Sequence, residues 1–139
     1  MNVKDIVNGK GQLLARHIPS ELAWNEGLQF FSNDEEYQQV GTWGYEKGKQ
    51  LLAHSHNEVV REVKWTQEVL YIKKGSIKAY IYDIDDSFVD EMTILEGDIL
   101  ILLYGGHGYE ILKDGTQVLE VKNGPYVGAE NDRRRLKNG

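Results

Sequence analysis

Segments of strand length, cut off at short intervals by turn residues, constrain this chain more than any other feature. The punctuation is Lys74-Gly75, Asp83-Ile84-Asp85-Asp86, Glu96-Gly97-Asp98, Gly105-Gly106, Asp114-Gly115 and Asn123-Gly124. Between these marks Ile77, Ala79 and Ile81 alternate with Lys78, Tyr80 and Tyr82, the period of a half-buried strand. Residues 99–103 are continuously apolar and read as a strand covered on both faces. Fifteen glycines against two prolines, with many Val, Ile and Tyr, fit short strands joined by tight turns. Strands are expected near residues 38–46, 49–56, 58–64, 67–73, 76–83, 87–95, 98–103, 108–113 and 116–122. Short antiparallel strands at this spacing build a sandwich or a barrel. Helix is supported only within residues 19–31, where Ser20 opens one short turn.

At 139 residues the chain is expected to form one domain with a real core. Residues 1–37 read as an N-terminal extension that packs on the barrel or on a partner subunit, 38–129 as the β domain, and 130–139 as a tail. Residues 1–12 and 130–139 are expected to be the less ordered ends. The absence of cysteine excludes disulfides and thiolate metal sites and favours a reducing compartment. Neither a signal-peptide core nor a membrane-spanning run is present, the longest apolar stretch being residues 99–104. A cytoplasmic protein is the expectation. The net charge of −6 argues against nucleic acid as a partner, because phosphate binding needs a basic footprint. Arg133-Arg134-Arg135 beside Lys137 reads as a solvated tail, with a subunit contact or a phosphate clamp as the alternative.

Chemistry concentrates around His54 and His56, two of only four histidines. On a strand, residues i and i+2 point to the same face. Leu52, His54 and His56 would share one face, and Glu68, Leu70 and Ile72 one face of a later strand. Both sets place polar groups at the end of an apolar inner stripe, as at a barrel mouth. A carboxylate buried beside imidazoles is costly unless paired or bound to metal. One divalent ion held by this constellation is the chemical reading, and polar residues at exposed strand ends the ordinary one. His107 follows the apolar run in a glycine-rich turn. His17 reads as incidental, and Asp83, Asp85 and Asp86 as a solvated hairpin, since the glycine and terminal glutamate of a calcium loop are missing. Trp43 and Trp65 read as core or interface aromatics; Trp24, Phe30 and Phe31 read as packing on the barrel or a second subunit.

These residues resemble the cupins, small double-stranded β-helix (jelly-roll) barrels. The first cupin motif runs glycine, five residues, His-x-His, three or four residues, glutamate, six residues, glycine. This chain gives Gly48, five residues, His54-Ser55-His56, eleven residues, Glu68, six residues, Gly75. The second motif runs from a glycine to Pro-x-Gly, then histidine and asparagine. Here Gly97-Asp98 opens the segment and Gly105-Gly106-His107 closes it, with Leu103 in place of the proline, His107 one residue early and Ile111 in place of the asparagine. The similarity spans about residues 38–125. It implies an all-β jelly-roll barrel with metal ligands His54, His56, Glu68 and His107, and a homodimer paired through edge strands. Glu62, five residues after His56 and of the same parity, is the alternative carboxylate, and Glu58 a third.

Three imidazoles and one carboxylate would leave an octahedral ion two open positions, and suit Zn, Fe, Mn, Ni or Co. Such an ion polarises a carbonyl and stabilises an enediolate. Glu120 is the candidate proton-transfer base, with Tyr109 and Gln67 as further catalytic candidates; Tyr71 and Lys122 lie on strands expected near the same mouth. The stretch from Glu120 to Tyr126, with Thr66-Gln67-Glu68 and Gly105 to Tyr109, resembles small cupins linked to surface-polysaccharide and sugar-nucleotide metabolism. The expectation is a metal-dependent isomerase or epimerase acting on a small polar, carbohydrate-related metabolite. Its rivals are an Fe(II)-dependent oxygenase, a non-catalytic metal- or ligand-binding cupin, and a metal-free cupin using its histidines for acid–base work.

Overall fold

The alternation in residues 68–82 becomes two consecutive strands that part at Gly75 into different sheets, and the rest of the fold is layered on them. A computed structural model describes residues 2–137. The strands are β1 (Lys4–Val7), β2 (Leu13–Ile18), β3 (Gly27–Phe30), β4 (Gly41–Gly44), β5 (Glu68–Lys74), β6 (Ser76–Tyr82), β7 (Phe88–Leu95), β8 (Ile99–Leu102), β9 (Gly106–Ile111) and β10 (Gln117–Lys122). Two short helices, α1 (Ser20–Ala23) and α2 (Ala129–Asp132), complete the inventory. One sheet has the order β1-β2-β8-β5-β10, a second β7-β6-β9, and β3 pairs with β4 as a separate ribbon. All pairings are antiparallel. The fold is mostly β, as the turn spacing requires, and the sheets do not close into a barrel.

Strand β8 is apolar throughout because it serves two layers. Leu100 and Leu102, with Leu70 and Ile72, face Ile77, Ala79, Ile81, Met92 and Ile94 of the three-stranded sheet. Ile99, Ile101 and Leu103 face the other way, against Ile18, Ala23, Leu22, Phe31 and Val40. Its central place in the five-stranded sheet explains why no polar residue interrupts it.

The N-terminal residues, expected as an extension packing on the barrel or on a partner subunit, enter the main sheet itself. Lys4–Val7 and Leu13–Ile18 are strands of the main sheet, with β2 paired directly to β8. Two buried polar pairs between residues distant in sequence, Arg16 with Glu36 and His17 with Asp98, hold this arrangement. Arg16 makes a bidentate contact with Glu36 at 2.8 and 3.0 Å and donates to the Phe31 carbonyl at 2.7 Å, strapping residues 31–36 over the outer face. His17 Nε2 lies 2.8 Å from Asp98 Oδ2, and Asp98 also accepts the amides of Ser20 and Leu95. Asp98 thereby fastens the start of α1 and the β7–β8 turn to one buried carboxylate, and His17 is structural rather than incidental. Trp24 donates to the Gly97 carbonyl at 2.8 Å and meets the Tyr71 ring edge-on. Phe31 packs on the outer layer, whereas Phe30 stays exposed.

The tail is also tied down as far as residue 137. Arg134 grips Asp86 through two bonds of 2.8 and 3.0 Å, and Asp86 is a buried residue with φ of +71° in the β6–β7 turn. The hairpin acids are therefore partly an anchor for the basic tail, not only solvated. Residues 138 and 139 of the expected tail lie outside the described residues.

The strands expected over 49–56 and 58–64 are not formed: between Gly44 and Glu68 the chain has no regular secondary structure. Their residues have strand propensity but no neighbouring strand to pair with, and β propensity is realised only on a paired, half-covered surface. No helix among the described residues is long and apolar enough to cross a membrane.

Asp98→Ala removes the acceptor for three donors, two of them backbone amides, in a site that is 2% exposed. Equilibrium urea unfolding is expected to show a loss of about 3 kcal/mol. A change below about 1 kcal/mol, the scale of a solvated pair, would contradict the anchoring role.

Candidate functional site at the open end of the sandwich

Register decides which side chains meet between the sheets. His107 stands opposite Ile81 and Tyr109 opposite Ala79, so both share the inward face of β6 and β9. On the other sheet Lys122 pairs with Glu68 and Glu120 with Leu70, which puts Glu68, Glu120 and Lys122 on the inward face of β5 and β10. Edge strand β9 on one sheet and the β5–β10 pair on the other therefore present a histidine, a tyrosine, two carboxylates and a lysine to one another at an end where the apolar core has run out.

The Gly105-Gly106 turn aims His107 into this space. Gly105 has φ of +80°, and a side chain there would collide with the Tyr82 carbonyl, so only glycine lets β9 start so close to the end of β6. His107 Nε2 approaches Glu68 Oε2 to 2.7 Å, while Glu68 is 7% exposed. The ring N–H is not aligned on that oxygen, and Oε2 is buried without a hydrogen bond. Burial alone would raise the Glu68 carboxyl, but the His107 ring, the Lys122 charge and the nearby Glu120 side chain outweigh it and hold it below its ordinary range. Tyr109 is 38% exposed as a residue, yet its hydroxyl sits in desolvated surroundings between Glu68 and Glu120. Desolvation and the two carboxylates push that phenol far up, so it stays a neutral hydrogen-bond donor at any physiological pH.

The residues singled out in the sequence divide into two groups. Glu68, His107, Tyr109 and Glu120 are brought together, with Lys122 beside them. His54 and His56 are not: they lie on the exposed 45–67 segment, their rings 5.1 Å apart and edge-on. His54 Nδ1 lies 3.1 Å from the Leu52 carbonyl. Glu58 and Glu62 are exposed on the same segment, with Glu62 beside Lys64 at 3.9 Å. Among the described residues no three His, Asp or Glu side chains are gathered closely enough to hold a metal ion. Gln67 turns away from the cluster: its Oε1 accepts the Tyr37 amide at 2.8 Å and its Nε2 donates to the Leu103 carbonyl at 3.1 Å. Both ends of that amide are used in holding backbone, and Trp65 helps by donating to the same Leu103 carbonyl at 2.7 Å.

Lys122 joins the cluster through its strand parity with Glu120, a signal present in the sequence. It also reaches Asp132 at 4.0 Å, where Thr66 donates to the same carboxylate, so the tail closes one side of the site. The two principal surface hollows, one beside Tyr71 and Leu119 and one beneath Trp65 and Tyr104, do not include the cluster. No family model, curated protein or solved structure matches the chain.

The depressed Glu68 carboxyl has a definite sign in the metal-free protein. Its charged form is favoured by folding, so its contribution is present above the ordinary value of 4.5 and is lost as pH falls through the lower folded value. Carboxyl-carbon NMR titration is expected to show Glu68 titrating below its ordinary value of 4.5, and His107→Ala to move it upward. An unshifted Glu68 in the intact protein would contradict the pairing.

Proposed function

We propose that the chain is a cupin whose open sandwich end holds one divalent metal ion and acts on a small polar metabolite of the sugar or sugar-nucleotide kind. Isomerisation or epimerisation is the proposed reaction. The observation that carries the reading is the Glu68 carboxylate oxygen, buried without a hydrogen bond and 2.7 Å from an imidazole. A buried carboxylate oxygen that lies against an imidazole but accepts no aligned hydrogen bond is one that a cation could satisfy. The jelly-roll assignment draws support from the motif glycines Gly48, Gly75 and Gly97, all of which have positive φ and so close turns where the cupin frame needs them.

The residues fit such an ion by donor type. Glu68 and His107 would hold it from the two facing sheets, and His54 and His56 would complete the set from the 45–67 segment; Zn, Fe, Mn, Ni and Co are all compatible with these ligands. When bound, the ion would act as a Lewis acid toward a carbonyl oxygen. The remaining chemistry belongs to this chain. Tyr109 keeps its proton and donates a hydrogen bond to a substrate oxygen at the mouth. Glu120 takes or returns a proton at the adjacent carbon, and Lys122 offsets the charge of the two carboxylates. Paired edge strands of a homodimer would cover β9 and β10.

One observation favours a second reading. Glu68 and His107 lie 2.7 Å apart, so a turn of the ring that aligned its N–H would make them an acid–base dyad that works without metal.

Titration of the apo protein with Co2+ or Zn2+ is expected to give one site per chain. Glu68→Gln and His107→Ala should each weaken it by about 100-fold, or about 2.7 kcal/mol. A flat isotherm for the intact chain ends the metal reading, and turnover that survives complete chelation would favour the dyad.

A further inference from the structure

The hollow beneath Trp65 and Tyr104 shares no residue with the Glu68–His107 cluster. Its volume is about 490 Å3, within the roughly 300–1,000 Å3 that small-molecule sites span. Its walls come from stretches distant in sequence: the start of β2, residues 35–37 of the outer strap, Trp65 with Gln67, and the end of β8. Three aromatic rings dominate it. Trp65 stands between Tyr37 and Tyr104, its centroid 5.4 and 5.0 Å from theirs and the planes tilted by 49° and 55°. The rings meet at angles instead of stacking, and Trp65 stays 42% exposed, so its neighbours do not cover it.

These walls are held from behind. The Trp65 indole N–H and the Gln67 amide both donate to the Leu103 carbonyl, and Gln67 Oε1 accepts the Tyr37 amide. Glu36 is buried and fixed by its two bonds to Arg16. The charge around the hollow is one-sided. Glu35 and Glu36 line it, and no lysine or arginine does. Arg16 does not cancel them, because the same guanidinium also holds Asp5 at 2.8 Å. One cation thus stands against three carboxylates. Lys64, whose backbone amide donates to the Tyr37 hydroxyl at 3.3 Å, has its ammonium 3.9 Å from Glu62.

We propose that this hollow binds a small organic cation of the quaternary or alkylated ammonium class. Aromatic faces are electronegative, and rings beside a carboxylate attract a cation whose charge is spread over alkyl groups. The Trp65, Tyr37 and Tyr104 rings receive the alkyl surface, and the exposed Glu35 meets the charge. Glu36 acts through its field alone, since Arg16 engages both its oxygens. An anionic ligand is repelled by the surplus of carboxylates. A sugar needs donors for its hydroxyls, and those of Trp65 and Gln67 are already spent on backbone. The site is independent of the metal reading and of the chemistry at the sheet end.

Choline chloride is the probe, titrated into the full chain at constant ionic strength while heteronuclear NMR follows the Trp65 indole N–H. A saturable shift of that signal is expected. The uncharged alcohol in which carbon replaces the choline nitrogen should bind about tenfold more weakly. Tyr104→Leu should weaken choline about fivefold by removing one ring. Glu35 is exposed, so Glu35→Gln keeps the fold by circular dichroism and should weaken choline about threefold. An absent or unsaturable shift with choline overturns the proposal, as does equal binding of the uncharged alcohol. Undiminished choline affinity in folded Glu35→Gln does the same. A shift produced by glucose and not by choline makes the hollow a carbohydrate surface and equally defeats the cation site.

Discussion

A carboxylate taken out of water has to be matched, and the match that Glu68 finds is incomplete. Its side chain lies between the sheets at the first residue of β5, one oxygen against His107 and no hydrogen bond to close the account of its charge. Everything else at that end is arranged around this fact. Gly105 gives β9 the tight start that brings His107 across, the register of β10 on β5 delivers Glu120 and Lys122, and Tyr109 closes in from the facing sheet. An apolar pair at Glu68 and His107 would suit the core better. A polar pair there makes sense as part of a site.

The body of the molecule holds that pair still. Two apolar layers share β8, and three polar contacts, the buried Arg16–Glu36 and His17–Asp98 pairs and the part-exposed Arg134–Asp86 pair, fix the N-terminal strands, the outer strap and the tail. Buried ion pairs contribute little net stability but make alternatives costly, since a partner left alone keeps its desolvation penalty. Their role here is to fix which segment lies where. The half-built mouth can then be open without the rest of the fold loosening around it.

The sequence disclosed these parts unevenly, for physical reasons. Residues 68–122 were legible because each strand alternates or runs apolar between glycine and acidic turns, and the structure follows those marks within a residue or two. Glu68 was legible by strand parity, His107 by its glycine-rich turn, and Tyr109 and Glu120 by the strands that carry them. The N-terminal strands were not: Leu13–Ile18 contains Arg16 and His17, and their burial depends on Glu36 and Asp98, which no local pattern reveals. Residues 49–64 failed in the opposite sense. Their propensity suggests strands, but a strand needs a neighbour, and within one chain these residues have none. His54 and His56 lie on the same unpaired segment, which is why the single chain leaves them outside the site.

The account stands or falls on whether those two imidazoles join Glu68 and His107 around one ion. X-ray absorption at the metal edge of the Co2+- or Zn2+-loaded protein counts imidazole ligands directly. Three histidine ligands in the intact protein, falling to one in His54→Ala/His56→Ala, is the predicted result. A loaded protein with a single imidazole ligand, unchanged by that double substitution, would contradict it.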